Sequence, residues 1–210
     1  MRIRVPVVFA VGAVYIPSGS AASPAARKVE TGVTPLWVFG YGSLVWNPGF
    51  AWSARQIARL DGFHRSFCMR SIHHRGTVED PGLVLALDAA EGGQCHGVAF
   101  EIAPQIAEET LEYLRARELI SAAYLETRQT VALADGRQVE AVVYVIDRAH
   151  GQYCGGLSLE DQAQIIARAV GGRGPNCEYL HQTAAHLAEL GLRDAELDWL
   201  SDRVKVLKHA

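Results

Sequence analysis

The chain has no Cys-x-x-Cys pair. Its four cysteines, Cys68, Cys95, Cys154 and Cys177, are dispersed over 210 residues. That spacing excludes a zinc ribbon or a dithiol redox motif, and four are too few for a disulfide scaffold in a chain of this size. The expectation is reduced and mostly buried thiols. Among the eight histidines, His181 and His186 are five apart and fall on different sides of a helix, and His73-His74 point two ways. No structural metal is expected. Lys/Arg blocks are also missing, and the formal net charge is -3, so nothing calls for nucleic acid. No apolar run is long enough for a comfortable membrane span. The longest, Val5 to Ile16, has twelve residues.

That run follows Arg2 and Arg4 and precedes small residues, the layout of a secretory signal peptide. It reads equally as an extended start ahead of a cytosolic domain. Residues 1–34 are therefore set apart as leader and linker. Residues 35–208 are expected to form one domain, since the length supports a sizeable core.

Within that domain Leu36–Tyr41 reads as a short buried strand, and residues 42–53 as a loop with a turn at Asn47-Pro48-Gly49. Residues 55–71 look extended with a break at Asp61-Gly62, and residues 72–82 look like a loop. Two strands are expected near Leu83–Leu87 and Gln94–Ile102, joined as a hairpin by "DAAEGG". A helix is expected over 104–119, with Pro104 in its first turn. Residues 126–134 and 137–147 form a hairpin about Asp135-Gly136. The C-terminal part is helical. Ser158 and Asp161 resemble a capping box, Asn176 is a candidate cap for the next helix, and Asp194 for the last. Strands and helices are segregated, which gives an α+β class.

The stretch "FGYGSLVW", Phe39 to Trp46, ends a hydrophobic strand in glycines. Val45 stands where a dinucleotide fingerprint needs its third glycine, and "GGRGPN" at 171–176 lacks the Lys-Ser/Thr of a P-loop. A serine elbow fails as well, because Tyr41 and Val45 occupy the glycine positions around Ser43. A turn, a cradle of backbone N–H groups, or a nucleophilic Ser43 outside that motif, whose base the sequence does not mark, remain.

Glu118 is the more informative residue. At about 100° per residue it lies within about 20° of Leu111 and about 40° of Leu114 on a helix. It therefore sits on the apolar stripe, whereas Glu109 and Glu112 face away. A carboxylate in a cleft with a raised pKa is a candidate general base. The competing reading is an ion pair with Arg115 or Arg117 at the helix end. Arg75 in "HHRG" has the geometry to bind a carboxylate, or is structural. Tyr113, Tyr124 and Tyr144 read as core residues, and Tyr153 lies in a loop where a phenol could face a ligand.

The motifs "WVFGYGSLVWNPGF", "HRSFCMRS", "HHRG", "PGLVLALD", "YLRARE", "YVID" and "GPNCEYL" occur in that order. Together they resemble the ChaC family of glutathione-specific γ-glutamylcyclotransferases, from about Trp37 to about Leu200. The resemblance implies a small mixed β-barrel-like sheet with surrounding helices. It implies cleavage of glutathione to 5-oxoproline and Cys-Gly by a lyase that needs no cofactor. It assigns substrate binding to Gly40, Tyr41, Gly42, Ser43, Leu44 and Val45, and the catalytic base to Glu118. It places Tyr144 and Tyr153 near the site, and Arg75 joins them as a candidate carboxylate ligand. Cys154 stands in the "Y-x-G" loop where leucine or alanine is more usual. A different γ-glutamyl amide as substrate, or a non-catalytic γ-glutamyl binder, are the alternatives. A cytoplasmic monomer is the expectation that goes with this reading, with a small-molecule substrate and neither nucleic acid nor membrane as partner.

Overall fold

The computed structural model describes residues 34–209, so residues 1–33 of the expected leader lie outside the described residues. Strand β1 is Leu36–Gly40, and all five of its residues are buried. It pairs antiparallel with β3 (Gly82–Ile102) and parallel with β5 (Gln138–Ile146). Trp37 and Phe39 join a core built from strand residues and Tyr41, the inside of the barrel. Leu36 and Val38 join a second core shared with the helices. Burial on both faces is why this strand reads as an unbroken apolar run.

Strand β2 is Ala54–Ser71, and β4 is Tyr124–Leu133. The strand order β1-β3-β2-β4-β5 closes into a barrel through the β1–β5 pair. This is the α+β barrel with surrounding helices that the sequence predicts.

The segment expected as two strands joined by a hairpin is instead one strand of 21 residues. Asp88 and Ala89 pair with His64 and Phe63, and Gln94 pairs with Asp61. Ala90–Gly93 therefore face Gly62 alone across an irregularity. Gly62 (φ 84) and Gly92 (φ 71) take the left-handed backbone it needs. The two long strands bend together there without separating, so the turn-like composition marks a bulge. A second irregularity sets Phe67 and Cys68 of β2 against Leu85 of β3.

Pro104 opens a 3-10 turn, Pro104–Ile106, which leads into α1, Ala107–Glu118. Thr110, Leu111 and Leu114 form the buried stripe of α1, while Glu109 and Glu112 are exposed. Leu114 is fully buried, so truncating it would cost about 2–5 kcal/mol. Helix α2, Leu159–Arg168, is capped by Ser158, whose Oγ accepts the Asp161 N–H at 3.1 Å. A two-residue hairpin follows, β6 (Val170–Gly171) with β7 (Gly174–Pro175). Then come α3, Asn176–Glu189, and α4, Ala195–His209. Ile166, Leu180, Leu187, Leu200 and Val204 join these helices to each other and to the outer barrel face.

Asn176 does not cap α3. It is the first residue of the helix, fully buried, and its side chain pairs with the backbone of Leu83. Its Oδ1 accepts the Leu83 N–H at 2.6 Å and its Nδ2 donates to the Leu83 carbonyl at 2.7 Å. The side chain thus satisfies two buried backbone groups at the start of β3. Asp194 does cap α4, accepting the Leu197 N–H at 3.1 Å.

Candidate active site

A 3-10 turn, Ser43–Val45, follows β1 and is held by the Val45 N–H donating to the Gly42 carbonyl at 3.0 Å. The first N–H groups of such a turn, here those of Ser43 and Leu44, have no acceptor within it. A Cβ at Gly42 would stand 3.2 Å from the Tyr179 hydroxyl, so glycine keeps the backbone close to that ring. The loop, the end of α1 and the segment 71–75 border an open cleft of about 160 Å³.

Glu118 is the last residue of α1 and lines this cleft. Its side chain is 17% exposed, and its Oε1 lies 3.0 Å from Arg117 Nε. The pair is not aligned as a hydrogen bond, so Oε1 is a buried oxygen with no hydrogen-bond donor. Burial raises the Glu118 pKa, and the charges of Arg117 and Arg173 pull it partly back. The carbonyl end of the helix also disfavours a negative charge there. Glu118 is thus a buried carboxylate of the cleft that also pairs with a helix-end arginine.

Arg117 joins the two sides of the site. Its guanidinium donates to the Asn47 carbonyl at 2.7 Å, the Pro48 carbonyl at 3.1 Å and the Tyr113 hydroxyl at 3.1 Å. It also donates to Ser43 Oγ at 3.0 Å. A serine oxygen that accepts from a guanidinium is held by a cation and has no base beside it. That is the arrangement of an oxygen positioned by a cation, and not of an activated nucleophile.

Tyrosines form the buried wall. Tyr41 donates to the Tyr144 carbonyl at 2.8 Å, and Tyr124 to the Leu85 carbonyl at 2.8 Å. Tyr144 donates to Glu126 at 3.1 Å, and Arg115 grips Glu126 with two bonds of 2.9 Å. Burial pushes the Tyr41, Tyr124, Tyr144 and Tyr179 phenols up, so they stay neutral donors. From the opposite side Arg65, 5% exposed at its side chain, donates to the Tyr41 carbonyl at 2.9 Å. It also pairs with Asp194 at 2.6 Å and thereby ties the glycine loop to the cap of α4.

Of the residues nominated from the sequence, Tyr41, Gly42, Ser43, Leu44, Arg75, Glu118 and Tyr144 line one cleft. Gly40, Val45 and Tyr153 do not. Val45 is in the core shared with the helices, and a Cβ at Gly40 would press on Leu44 Cβ at 3.0 Å. Tyr153 donates instead to Asp88 at 2.7 Å. Its ring lies where a Cβ of Gly155 would be, 2.0 Å from the hydroxyl, so the "Y-x-G" spacing here makes room for the tyrosine itself.

Arg117, Tyr124, Gln152, Arg173 and Tyr179 also line the cleft and were not marked as site residues. Arg117 and Tyr179 fall inside the quoted motifs "YLRARE" and "GPNCEYL", which was the available signal. The four cysteines are free and buried. Burial pushes the Cys95 and Cys154 thiols up to about 11, which leaves them unreactive. Among the described residues no group of three or more His, Cys, Asp or Glu could hold a metal ion.

The barrel and its helices share a fold with a γ-glutamyl cyclotransferase specific to glutathione from yeast. That crystal structure superposes with a TM-score of 0.76 at 25% identity, covering 84% of this chain and 98% of the yeast chain. The chain belongs to the ChaC-like protein family, whose model matches residues 36–207. A glutathione-specific γ-glutamylcyclotransferase of Escherichia coli (strain K12) is 38% identical over 190 residues, covering 90% of this chain and 80% of that protein. Glutathione-specific γ-glutamylcyclotransferase 1 of Danio rerio is 37% identical over 161 residues, covering 75% of this chain and 82% of that protein.

Proposed function

We propose that this chain cleaves glutathione to 5-oxoproline and Cys-Gly with Glu118 as its general base. The activity is that of a glutathione-specific γ-glutamylcyclotransferase, a lyase. The observation that carries the role of Glu118 is its carboxylate, which lines the cleft beside the glycine loop and keeps one buried oxygen, Oε1, without a hydrogen-bond donor.

The reaction needs no enzyme nucleophile. The substrate's own α-amino nitrogen attacks its γ-amide carbonyl carbon and closes a five-membered ring. As that C–N bond forms, the bond to the cysteinyl nitrogen breaks. The amine must lose a proton and the leaving nitrogen must gain one, so a single carboxylate can take and return it. No water is consumed. A raised pKa suits both halves of this transfer, because the carboxyl formed in the first half is a ready donor in the second.

The rest of the site supplies folding and charge. Ring closure is favoured when the flexible γ-glutamyl chain is held bent, the effect of proximity. The N–H groups of Ser43 and Leu44 and the Ser43 hydroxyl are donors for the α-carboxylate or for the oxygen that gains charge. Tyr144 and Tyr179 stay neutral and shape the wall.

We place the reaction in the cytoplasm and in a monomer. Four free, buried cysteines suit a reducing compartment. Among the described residues no helix is long and apolar enough to cross a membrane. The activity is tested by incubating purified protein with glutathione and with γ-glutamyl-alanine and measuring 5-oxoproline. Release from glutathione and much less from the dipeptide is expected. Release from the dipeptide alone would assign a different γ-glutamyl amide.

A further inference from the structure

We infer that Arg173 recognises the far carboxylate of the substrate, the glycyl terminus of glutathione, and so sets specificity for the tripeptide. The inference rests on the reading of the cleft as a glutathione site. Glutathione carries two carboxylates at opposite ends. In that reading the one beside the reacting amine falls to the side of the cleft formed by the glycine loop and Glu118. The other is several bonds beyond the cleaved amide, so it meets a different part of the protein.

Three arginines line the cleft: Arg75, Arg117 and Arg173. Arg117 is committed to Ser43, Asn47, Pro48 and Tyr113, with Glu118 against its Nε. Arg75 donates to the Pro175 carbonyl at 3.1 Å, lies 3.8 Å from Glu178 and stacks 5.9 Å over the Tyr179 ring. It braces the start of α3. Arg173 is the exception. Among the described residues its side chain makes no ion pair and no hydrogen bond, and it is exposed at the mouth of the cleft.

Its backbone, by contrast, is fixed. The Arg173 N–H donates to the His74 carbonyl at 2.9 Å, and the Gly172 N–H to the His73 carbonyl at 2.8 Å. A Cβ on Gly171 would stand 2.5 Å from the His74 carbonyl, so the β6–β7 hairpin is pressed onto the segment that borders the cleft. The stretch "GGRGP" thus has a structural reason for its glycines and presents one uncommitted guanidinium. That charge acts within the cleft, since it lowers the pKa of both Glu118 and His74. A free, planar guanidinium beside a substrate path matches a carboxylate through two parallel N–H bonds.

The test compares glutathione with its glycyl ethyl ester, which keeps the γ-glutamyl and cysteinyl parts but loses the terminal charge. Both ligands are measured by 5-oxoproline release and by calorimetric binding, on wild type, Arg173→Met and Arg173→Lys. Wild type should prefer glutathione by about tenfold, the scale of a charge-assisted hydrogen bond. In Arg173→Met that preference should vanish through KM, with kcat little changed, and Arg173→Lys should restore part of it. A wild-type preference retained in Arg173→Met overturns the inference, as does no preference in wild type. If calorimetry shows the Arg173-dependent preference but neither ligand yields 5-oxoproline, the catalytic reading fails and the role of Arg173 stands.

Discussion

The guanidinium of Arg117 bridges Ser43 Oγ, at 3.0 Å, and the carboxylate of its own neighbour Glu118, at 3.0 Å. One side chain therefore sets both the position of the glycine loop and the charge felt by the proposed base. The two sit 74 and 1 residues from it in sequence, on elements that pack only in the folded chain.

That double role predicts a pH effect. The Arg117 charge favours the carboxylate form of Glu118 against the burial that raises its pKa. Removing it in Arg117→Ala raises that pKa further. The base works deprotonated, so the acidic limb of kcat/KM should move to higher pH. Arg117→Lys, which keeps the charge, should move it less. A pH–rate profile of the two variants decides this, and an acidic limb that stays in place or moves down contradicts it.

The Arg65–Asp194 pair predicts a stability effect far from the chemistry. Arg65 is 5% exposed at its side chain and Asp194 20%. Asp194→Ala leaves a buried guanidinium without its counter-charge, at about 3 kcal/mol or more, and removes the α4 cap, at about 1 kcal/mol. Asp194→Asn keeps a capping oxygen and should fall between. Urea denaturation measures both. A loss below about 1 kcal/mol in Asp194→Ala would contradict the assignment, given that breaking such pairs usually costs several times that.

Tyr153→Phe separates the two tyrosines that the sequence placed together near the site. The Tyr153 hydroxyl is bonded to Asp88 away from the cleft, whereas Tyr144 lines it. Turnover and KM for glutathione should be unchanged in Tyr153→Phe and altered in Tyr144→Phe. A raised KM in Tyr153→Phe would return that loop to the substrate.

What could be read from the sequence was whatever a local period decides. The stripe of Leu111, Leu114 and Glu118 follows from helical spacing, and the Asp135-Gly136 turn from its composition. What could not be read depended on distant partners. Gly92-Gly93 reads as a turn unless β2 supplies Gly62 opposite. Asn176 reads as a cap unless Leu83, 93 residues earlier, claims both polar atoms of its side chain. Tyr153 reads as ligand-facing unless Asp88 takes its hydroxyl. Nothing in the sequence separates Arg117 from Arg173 until the fold shows that the first is held by Ser43, Asn47, Pro48 and Tyr113 and that the second, among the described residues, has no side-chain partner.

The central claim is that Glu118 moves the proton. Glu118→Gln keeps the shape and removes the base, so it isolates that role. 5-Oxoproline release from glutathione should fall by about a hundredfold or more, the usual scale for acid–base catalysis, with calorimetric binding of glutathione retained. Turnover at the wild-type rate in Glu118→Gln would contradict the account.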